Sequence, residues 1–333
     1  MLSSNLVAKC QTFFAGAAVF LNACLIFLIV KKSPKQLGSY RYLMIYISIF
    51  EIVYSLIDSV VSPTILSHGS TFAIVLRKTT TFLSEETLFI LGCEWCGCFG
   101  AFMFIFAIQF IYRYLVVTSK SKILKSFDDW RMIFWILSPI ILGTIWGSLA
   151  FVYLSKNSET EDEIRSALLS EIDVPLDNVV YMGATLYHKD SDGNKSIFVN
   201  TLIMISFKLT VLTVSFLCIF FFASLTLLEM RKVSTISTQQ SKELDRIQSQ
   251  AFYALISQSC IPVILMHFPC TIVFLASVFD FDLGTSGGIS AITFAMFPAI
   301  DPLPVMLIIQ NFRGTLISVV TTPVQIITKT RNV

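Results

Sequence analysis

Charged residues are scarce in this chain. Only 14% of its 333 residues are Asp, Glu, Lys or Arg, whereas 55% are hydrophobic. Soluble domains carry about 25% charged residues, which they need to cover their surface. The composition therefore excludes an ordinary soluble protein and predicts one whose surroundings are the lipid bilayer. We expect no nucleic-acid partner.

Histidine is also scarce, and this limits the chemistry that the chain can perform. The three histidines lie at positions 68, 188 and 267, and none belongs to an H-x-x-x-H spacing of the kind that binds zinc on a helix. We therefore expect no metal, no cofactor and no enzymatic activity. A membrane thiol oxidoreductase or zinc enzyme is kept as a rival class.

Cysteine is present eight times, but its distribution does not indicate a disulfide framework. All cysteines except Cys10 lie inside apolar runs, where thiols usually pack as small hydrophobic side chains. Cys93 and Cys96 form a C-x-x-C in one such run, directly before Gly97. Small residues at this spacing let a neighbouring transmembrane helix approach closely. We interpret the motif as a packing surface.

Long apolar runs are abundant, and a transmembrane helix needs about 20 mostly apolar residues. Seven such runs cover residues 11–30, 43–66, 89–112, 132–154, 197–228, 251–277 and 289–310. The first is longer than a signal-peptide core and leads into the basic segment 31–35, so we interpret it as a retained span. The pattern predicts an all-α membrane protein with one seven-helix domain, an acidic loop at 155–196 and a tail at 313–333.

Lys and Arg set the orientation of the bundle, because cytoplasmic loops are enriched in them. One alternating set of connections holds 16 of these residues and the other holds 7. The N-terminus is therefore predicted to be outside and the tail inside. The acidic loop then lies outside and carries the sequon Asn194-Lys195-Ser196, which makes Asn194 a candidate glycosylation site.

Five ionisable residues remain inside the predicted spans: Glu51, Asp58, Glu94, Lys208 and Asp301. Each costs about 2.5–3.5 kcal/mol at a helix centre, so we expect them to face the bundle interior. At 1.5 Å per residue Lys208 lies roughly 16 Å below the outer face. A lysine at this depth needs a carboxylate, for which Asp58 and Glu94 are the candidates. The pair is either structural or part of a ligand site.

Prolines in the last two spans predict bends, since each proline removes a backbone hydrogen bond. His267 lies next to one of these bends and is either a hydrogen-bonded core residue or a ligand contact. We expect the outer half of the bundle to hold the ligand site. The candidate residues are Asp58, Glu94, Trp95, Lys208, His267 and Phe268.

Three motifs narrow the class of membrane protein. They read LGSYRYLM at 37–44, QFIYRY at 109–114 and FPAIDPL at 297–303. Together with seven spans and an outer N-terminus, this set resembles the nematode serpentine chemoreceptors of the Str class over nearly the whole chain. The resemblance implies a rhodopsin-like G-protein-coupled receptor in the plasma membrane of sensory cilia. Its expected partners are a small odorant and a heterotrimeric G protein.

The resemblance also assigns roles to four residues. Arg113, after Tyr112, resembles the arginine that closes helix 3 in rhodopsin-like receptors, and Asp301-Pro302 resembles the Asn/Asp-Pro pair of their helix 7. Position 112 is a tyrosine where those receptors have an acid, so an arginine–acid pair within helix 3 is not available. The loop 155–196 has no cysteine, so their usual disulfide to helix 3 cannot form.

Two other membrane classes are alternatives. A ligand-gated channel of the insect chemoreceptor type also has seven spans, but its N-terminus is inside. A small-solute transporter is the second alternative, although the two halves of the chain share no pattern of broken helices.

Overall fold

The computed structural model describes residues 4–78, 81–118, 121–156, 161, 164–165, 178–189, 195–234, 239–281, 283 and 286–330. Within these residues, seven helices are long and apolar enough to cross a membrane. The predicted seven-helix architecture is therefore confirmed.

The first five membrane helices are each continuous. They are α1 (Ser4–Lys32), α2 (Tyr40–Val61), α3 (Glu85–Val117), α4 (Met132–Tyr153) and α5 (Val199–Ser234). Helix α3 begins at Glu85 because the Ser84 hydroxyl caps it by accepting a hydrogen bond from the Thr87 N–H. The predicted second span ran to residue 66. Helix α2 instead ends at Val61, where Ser62 is left-handed and Pro63 follows.

The last two membrane helices are bent, as the prolines predicted. Helix α6 consists of Gln239–Pro262, a π-helical turn at Val263–His267, and Phe268–Phe279. Helix α7 consists of Ser286–Ile300 and Pro302–Ile308. A further helix, α8 (Gln310–Thr330), occupies most of the segment predicted as a tail.

Helix α3 lies at the centre of the bundle and contacts α4 through glycines. A Cβ on Gly97 would lie 2.6 Å from the carbonyl oxygen of Gly143, and one on Gly147 would lie 2.8 Å from that of Cys93. Only glycine permits this approach, because any side chain would force the two backbones apart. All eight cysteines are free thiols. The segment around the C-x-x-C is thus a helix-packing surface, as predicted.

The outer end of the bundle is covered by a sheet that the sequence analysis did not predict. Strands β1 (Thr64–His68), β2 (Thr71–Arg77) and β3 (Val179–Thr185) pair antiparallel in that order. The register places Thr71 opposite Thr185 and Arg77 opposite Val179. A separate hairpin joins β4 (Tyr187–Lys189) to β5 (Lys195–Ile197). The strand β3 ties the 155–196 loop to the bundle without a disulfide.

Both faces of the three-stranded sheet are buried. Ile65 and Phe72 belong to the core of the bundle below. Leu66, Val75 and Tyr181 form a second, smaller cluster with Ile164 on the opposite face. The sheet is therefore a packed cap above the helices.

Candidate functional site

A cavity lies beneath the sheet, between helices α3, α4, α5, α6 and α7. The centres of water-sized molecules have about 70 Å³ of room in it. A neighbouring cavity offers about 20 Å³ of such room. We call the two together the outer cavity. Five residues line both parts: Phe99, Trp146, Lys208, Cys270 and Phe274. Its roof is formed by Ile65, Phe72 and Ile74 of the sheet.

Lys208 is the charged side chain that lines both parts of the outer cavity. It is only 7% exposed, and its ammonium group lies 5.5 Å from the centroid of the Trp146 ring. The titratable side chains that interact with it are three thiols, those of Cys93, Cys96 and Cys270. Within the described part of the chain no carboxylate pairs with Lys208. The predicted ion pair with Asp58 or Glu94 is therefore wrong.

The two predicted acid partners are engaged elsewhere. Asp58 is buried and accepts a 2.8 Å hydrogen bond from the indole N–H of Trp95. The Trp95 ring lines the outer cavity and stacks on Tyr54, so the acid is a support for that ring. Glu94 is exposed on the outward face of α3. The expectation that Glu94 lines the pocket is wrong, because its position on α3 lies on the exposed side of the helix, whereas Trp95 and Cys96 lie on the buried side.

His267 lines the smaller part of the outer cavity, within the π-helical turn of α6. Its ring meets Phe99 edge to face at 4.8 Å, and neither ring nitrogen has a hydrogen-bond partner among the described residues. Phe268 is 65% exposed. The expectation that Phe268 lines the pocket is wrong, since the next residue along the helix turns to the outer surface.

A polar cluster lies below the outer cavity and joins four helices. Gln258 of α6 donates a 2.7 Å hydrogen bond to the Asp301 carboxylate at the break in α7. Glu51 of α2 is buried and interacts with both Asp301 and Asn22 of α1. Asn22 also donates to the Pro298 carbonyl at 3.0 Å. The prediction that Glu51 and Asp301 face the interior is confirmed.

Pro302 begins the second segment of α7, directly after Asp301. It is buried, and its ring nitrogen cannot donate the hydrogen bond that would continue the helix. The residue pair therefore sets the position of the break. It also places the carboxylate of Asp301 against Gln258 of the bent helix α6.

Arg113 lies in the last turns of α3, at the end opposite the outer cavity, and is fully buried. Its guanidinium lies 3.5 Å from the centroid of the Tyr40 ring on α2 and donates a 2.7 Å hydrogen bond to the Gln248 side chain on α6. The Gln248 amide in turn donates to the Gln36 carbonyl at 2.9 Å. This arginine therefore holds the inner ends of three helices together.

Tyr112 supports the same cluster from the other face of α3. Its hydroxyl accepts a 3.1 Å hydrogen bond from the Tyr40 N–H, and its ring stacks on the Tyr40 ring at 5.8 Å. The Tyr40 hydroxyl donates to Gln109 at 3.0 Å. The Ser39 hydroxyl, one residue before Tyr40, hydrogen-bonds Asp128 in the connection between α3 and α4.

Tyr40 and Gln248, the partners of Arg113, were not predicted from the sequence, nor was Gln109, the partner of Tyr40. Tyr40 lies in the motif at 37–44 and Gln109 in the motif at 109–114, and these motifs could have marked both residues as part of one cluster. Gln248 carries no such signal, because its role depends on how α6 lies against α3. The candidate glycosylation site Asn194 lies outside the described residues.

Comparison with known proteins agrees with this architecture. The profile described as "Serpentine type 7TM GPCR chemoreceptor Str" matches residues 7–317. The chain is 32% identical to "G-protein coupled receptor str-217" of Caenorhabditis elegans, over 91% of this chain and 86% of the relative. It is 29% identical to "Serpentine receptor class r-10" of Caenorhabditis briggsae, over 89% and 84%. A third relative, "G-protein coupled receptor str-33" of Caenorhabditis elegans, is 23% identical over 89% and 85%.

Proposed function

Since the chain belongs to the Str class of serpentine seven-helix G-protein-coupled chemoreceptors, we propose that it binds a small volatile odorant in the outer cavity and activates a heterotrimeric G protein. We further propose that it acts in the plasma membrane of sensory-neuron cilia. The observation that carries the proposal is the hydrogen bond from Arg113 to Gln248, because it links α3 to the bent helix α6 at the end opposite the cavity.

The outer cavity suits a small, mostly apolar ligand with a single polar group. Aromatic rings form its walls, and Lys208 and His267 are its polar groups. The His267 ring nitrogens have no hydrogen-bond partner among the described residues. Pockets for small molecules usually combine apolar walls with a few convergent polar groups. Of the six candidate ligand residues, Trp95, Lys208 and His267 line the cavity, and Asp58 supports Trp95.

A column of aromatic side chains leads from the cavity toward the cytoplasmic end. Trp95 contacts Phe294 at 5.9 Å between ring centroids, and Phe102 contacts Phe297 at 4.8 Å. Phe297 lies four residues before Asp301, which is hydrogen-bonded to Gln258 on α6. A ligand that reorients Trp95 or the π-helical turn would thus act on the packing between α6 and α7.

The cytoplasmic cluster then acts as the switch. In the arrangement observed here, Arg113 is held by Tyr40 and Gln248, so it is not free to contact a G protein. Outward movement of the inner end of α6 would separate Gln248 from Arg113. A ligand shifts this equilibrium only as far as its affinities for the two states differ. The bound odorant is therefore expected to prefer the state in which Arg113 is released.

The direct test is to express the receptor with a G-protein dissociation sensor and screen volatile compounds. We expect at least one compound to activate the wild type, and Arg113→Ala to abolish the response at equal surface expression. Arg41→Ala is the matched control, because Arg41 is exposed and contacts only Tyr42 among the described contacts. Ligand-evoked currents or uptake in cells lacking G proteins would contradict the proposal in favour of a channel or transporter.

A further inference from the structure

Lys208 is a buried basic side chain that has no carboxylate partner in the described part of the chain. It is 7% exposed, and it lines both parts of the outer cavity. Charged side chains within a bilayer pair with an opposite charge or face a functional cavity. The two acids that the helices could offer are not available, because Asp58 is bound behind Trp95 and Glu94 is exposed on the outer face of α3.

The groups around Lys208 do not replace a carboxylate. The titratable side chains that interact with Lys208 are the thiols of Cys93, Cys96 and Cys270, and its ammonium group lies 5.5 Å from the centroid of the Trp146 ring. Thiols are weak hydrogen-bond partners. An aromatic face attracts a cation but does not neutralise its charge. The described part of the site therefore lacks a carboxylate, which is the group that would balance the charge of a buried ammonium.

His267 adds a second polar group to the same cavity. Its two ring nitrogens are buried and have no hydrogen-bond partner among the described residues. The one hydroxyl in this part of the lining belongs to Thr271, which already donates to the His267 carbonyl at 2.7 Å. A buried imidazole that is left unsatisfied is destabilising unless a group in the cavity accepts a hydrogen bond from it or donates one to it.

We propose that the outer cavity recognises a small organic acid, whose carboxylate pairs with Lys208 and hydrogen-bonds His267 while its short apolar chain packs on Phe99 and Trp146. A carboxylate supplies both missing interactions at once, since it carries the counter-charge and accepts hydrogen bonds from both side chains. This ligand class rests on the proposed function, because it assumes that the cavity is the ligand site.

The charges of the side chains that line the cavity disfavour other charged ligands. An amine would meet Lys208 as a like charge and would find no carboxylate among the lining residues. A phosphate or a dicarboxylate would bring two negative charges to a site with a single cationic side chain in its lining. The remaining walls are apolar side chains and thiols, which favour an alkyl or aryl group over a second polar one.

The ligand class is tested by binding, measured as the rise in thermal unfolding temperature of purified full-length receptor in lipid nanodiscs at neutral pH. The probes are hexanoate, hexanamide and hexylamine, which share one chain and differ in the head group. We expect hexanoate to half-saturate at a concentration about tenfold or more below that of hexanamide, because a charge-assisted bond is lost in the amide. Hexylamine should not bind.

Substitutions at Lys208 test whether this residue causes the preference for hexanoate over hexanamide. Lys208→Met should remove the preference for hexanoate over hexanamide, and Lys208→Arg should retain it because the cation is kept. Lys9→Met is the matched control, since Lys9 is exposed on α1, and it should behave as wild type. Equal affinity of the wild type for acid and amide overturns the proposal. So does a preference that survives in Lys208→Met. The wild-type comparison applies even when Lys208→Met does not fold.

A signalling measurement on the same proteins separates this proposal from the proposed function. Hexanoate that binds through Lys208 without activating any G protein would support the ligand class and contradict the receptor function. Activation by neutral odorants, together with no binding of hexanoate, would support the receptor function and overturn the ligand class.

Discussion

Gln248 of α6 accepts a 2.7 Å hydrogen bond from Arg113 of α3 and donates one of 2.9 Å to the carbonyl of Gln36. One amide side chain thereby connects α6 to both the third helix and the first cytoplasmic connection. Because Tyr112 replaces the acid that precedes the arginine in rhodopsin-like receptors, Arg113 has no carboxylate partner within α3. Its partners here are the Tyr40 ring and Gln248, so α6 contributes to holding the arginine.

This relationship predicts the basal activity of Gln248 variants. Gln248→Ala removes the hydrogen bond between α3 and α6, and we expect higher G-protein signalling without ligand. A hydrogen bond to a charged group contributes about 1.5–3 kcal/mol, so the active population should rise severalfold or more. Gln248→Glu should lower basal signalling, because a carboxylate attracts Arg113 more strongly than an amide does.

The control for these variants is Gln250→Ala. Gln250 lies two residues away and accepts a 3.2 Å hydrogen bond from the Gln310 N–H, so its loss leaves Arg113 in place. Basal signalling is read with a G-protein dissociation sensor at matched surface expression. Unchanged basal activity in both Gln248 variants would show that this bond does not hold the inactive state.

Two substitutions of Tyr40 should separate the contribution of its aromatic ring to stability from that of its hydroxyl group. Tyr40→Phe keeps the aromatic face beneath the guanidinium and removes only the hydroxyl that donates to Gln109. It should lower the free energy of unfolding by about 0.5–1.5 kcal/mol. Tyr40→Leu also removes the cation–π contact and should cost more, by about 2 kcal/mol for a desolvated pair. Thermal unfolding of purified protein provides the measurement, and an equal loss in both variants would contradict a role for stacking.

The helices were predictable from the sequence, whereas the sheet was not. Seven spans follow from apolar length alone, and their bends follow from proline positions. The strands β1 and β2 gave no alternating pattern, because Ile65 and Phe72 pack on the bundle while Leu66 and Val75 pack on the other face. A strand that is buried on both faces is a continuous apolar run and resembles part of a helix. Residues 62–66 were therefore assigned to the second span.

The sequence indicated that site residues are buried, but it did not indicate which neighbouring side chains they contact. The position of Lys208 inside its span correctly indicated a buried side chain. Spacing along one helix does not say which neighbour a side chain meets, so the carboxylate partners were wrong. Glu94 is exposed, while Trp95 and Cys96, the next two residues, line the cavity. Likewise, His267 faces the interior and Phe268 the exterior.

The hydrogen bond from Trp95 to Asp58 predicts a non-additive pair of substitutions. Trp95→Phe keeps an aromatic ring but removes the one hydrogen-bond donor that the buried Asp58 carboxylate has among the described residues, which should cost about 1–3 kcal/mol of stability. Asp58→Leu removes the acid and leaves the indole N–H unpaired. The double variant removes both partners and should be more stable than the sum of the single effects predicts.

This double-mutant cycle is measured by thermal unfolding in nanodiscs, with surface expression as a second readout. Trp146→Phe is a suitable comparison, because Trp146 also lines the outer cavity but lies over Lys208 rather than Asp58. Additive effects of the two substitutions at Asp58 and Trp95 would mean that the hydrogen bond contributes nothing specific.

The contact between α3 and α4 predicts that replacing one of its glycines with alanine lowers the stability strongly. A Cβ on Gly97 would lie 2.6 Å from the Gly143 carbonyl oxygen, and this atom belongs to a helix backbone that cannot turn aside. Gly97→Ala should therefore push α4 away from α3 and cost about 1–3 kcal/mol, as overpacking does elsewhere. Gly16→Ala on α1 is the matched control, because no atom lies within 4 Å of the added carbon there. It should be neutral or slightly stabilising, since alanine favours helix over glycine. Surface expression and unfolding temperature are the measurements, and equal behaviour of the two variants would refute the close packing of α3 on α4.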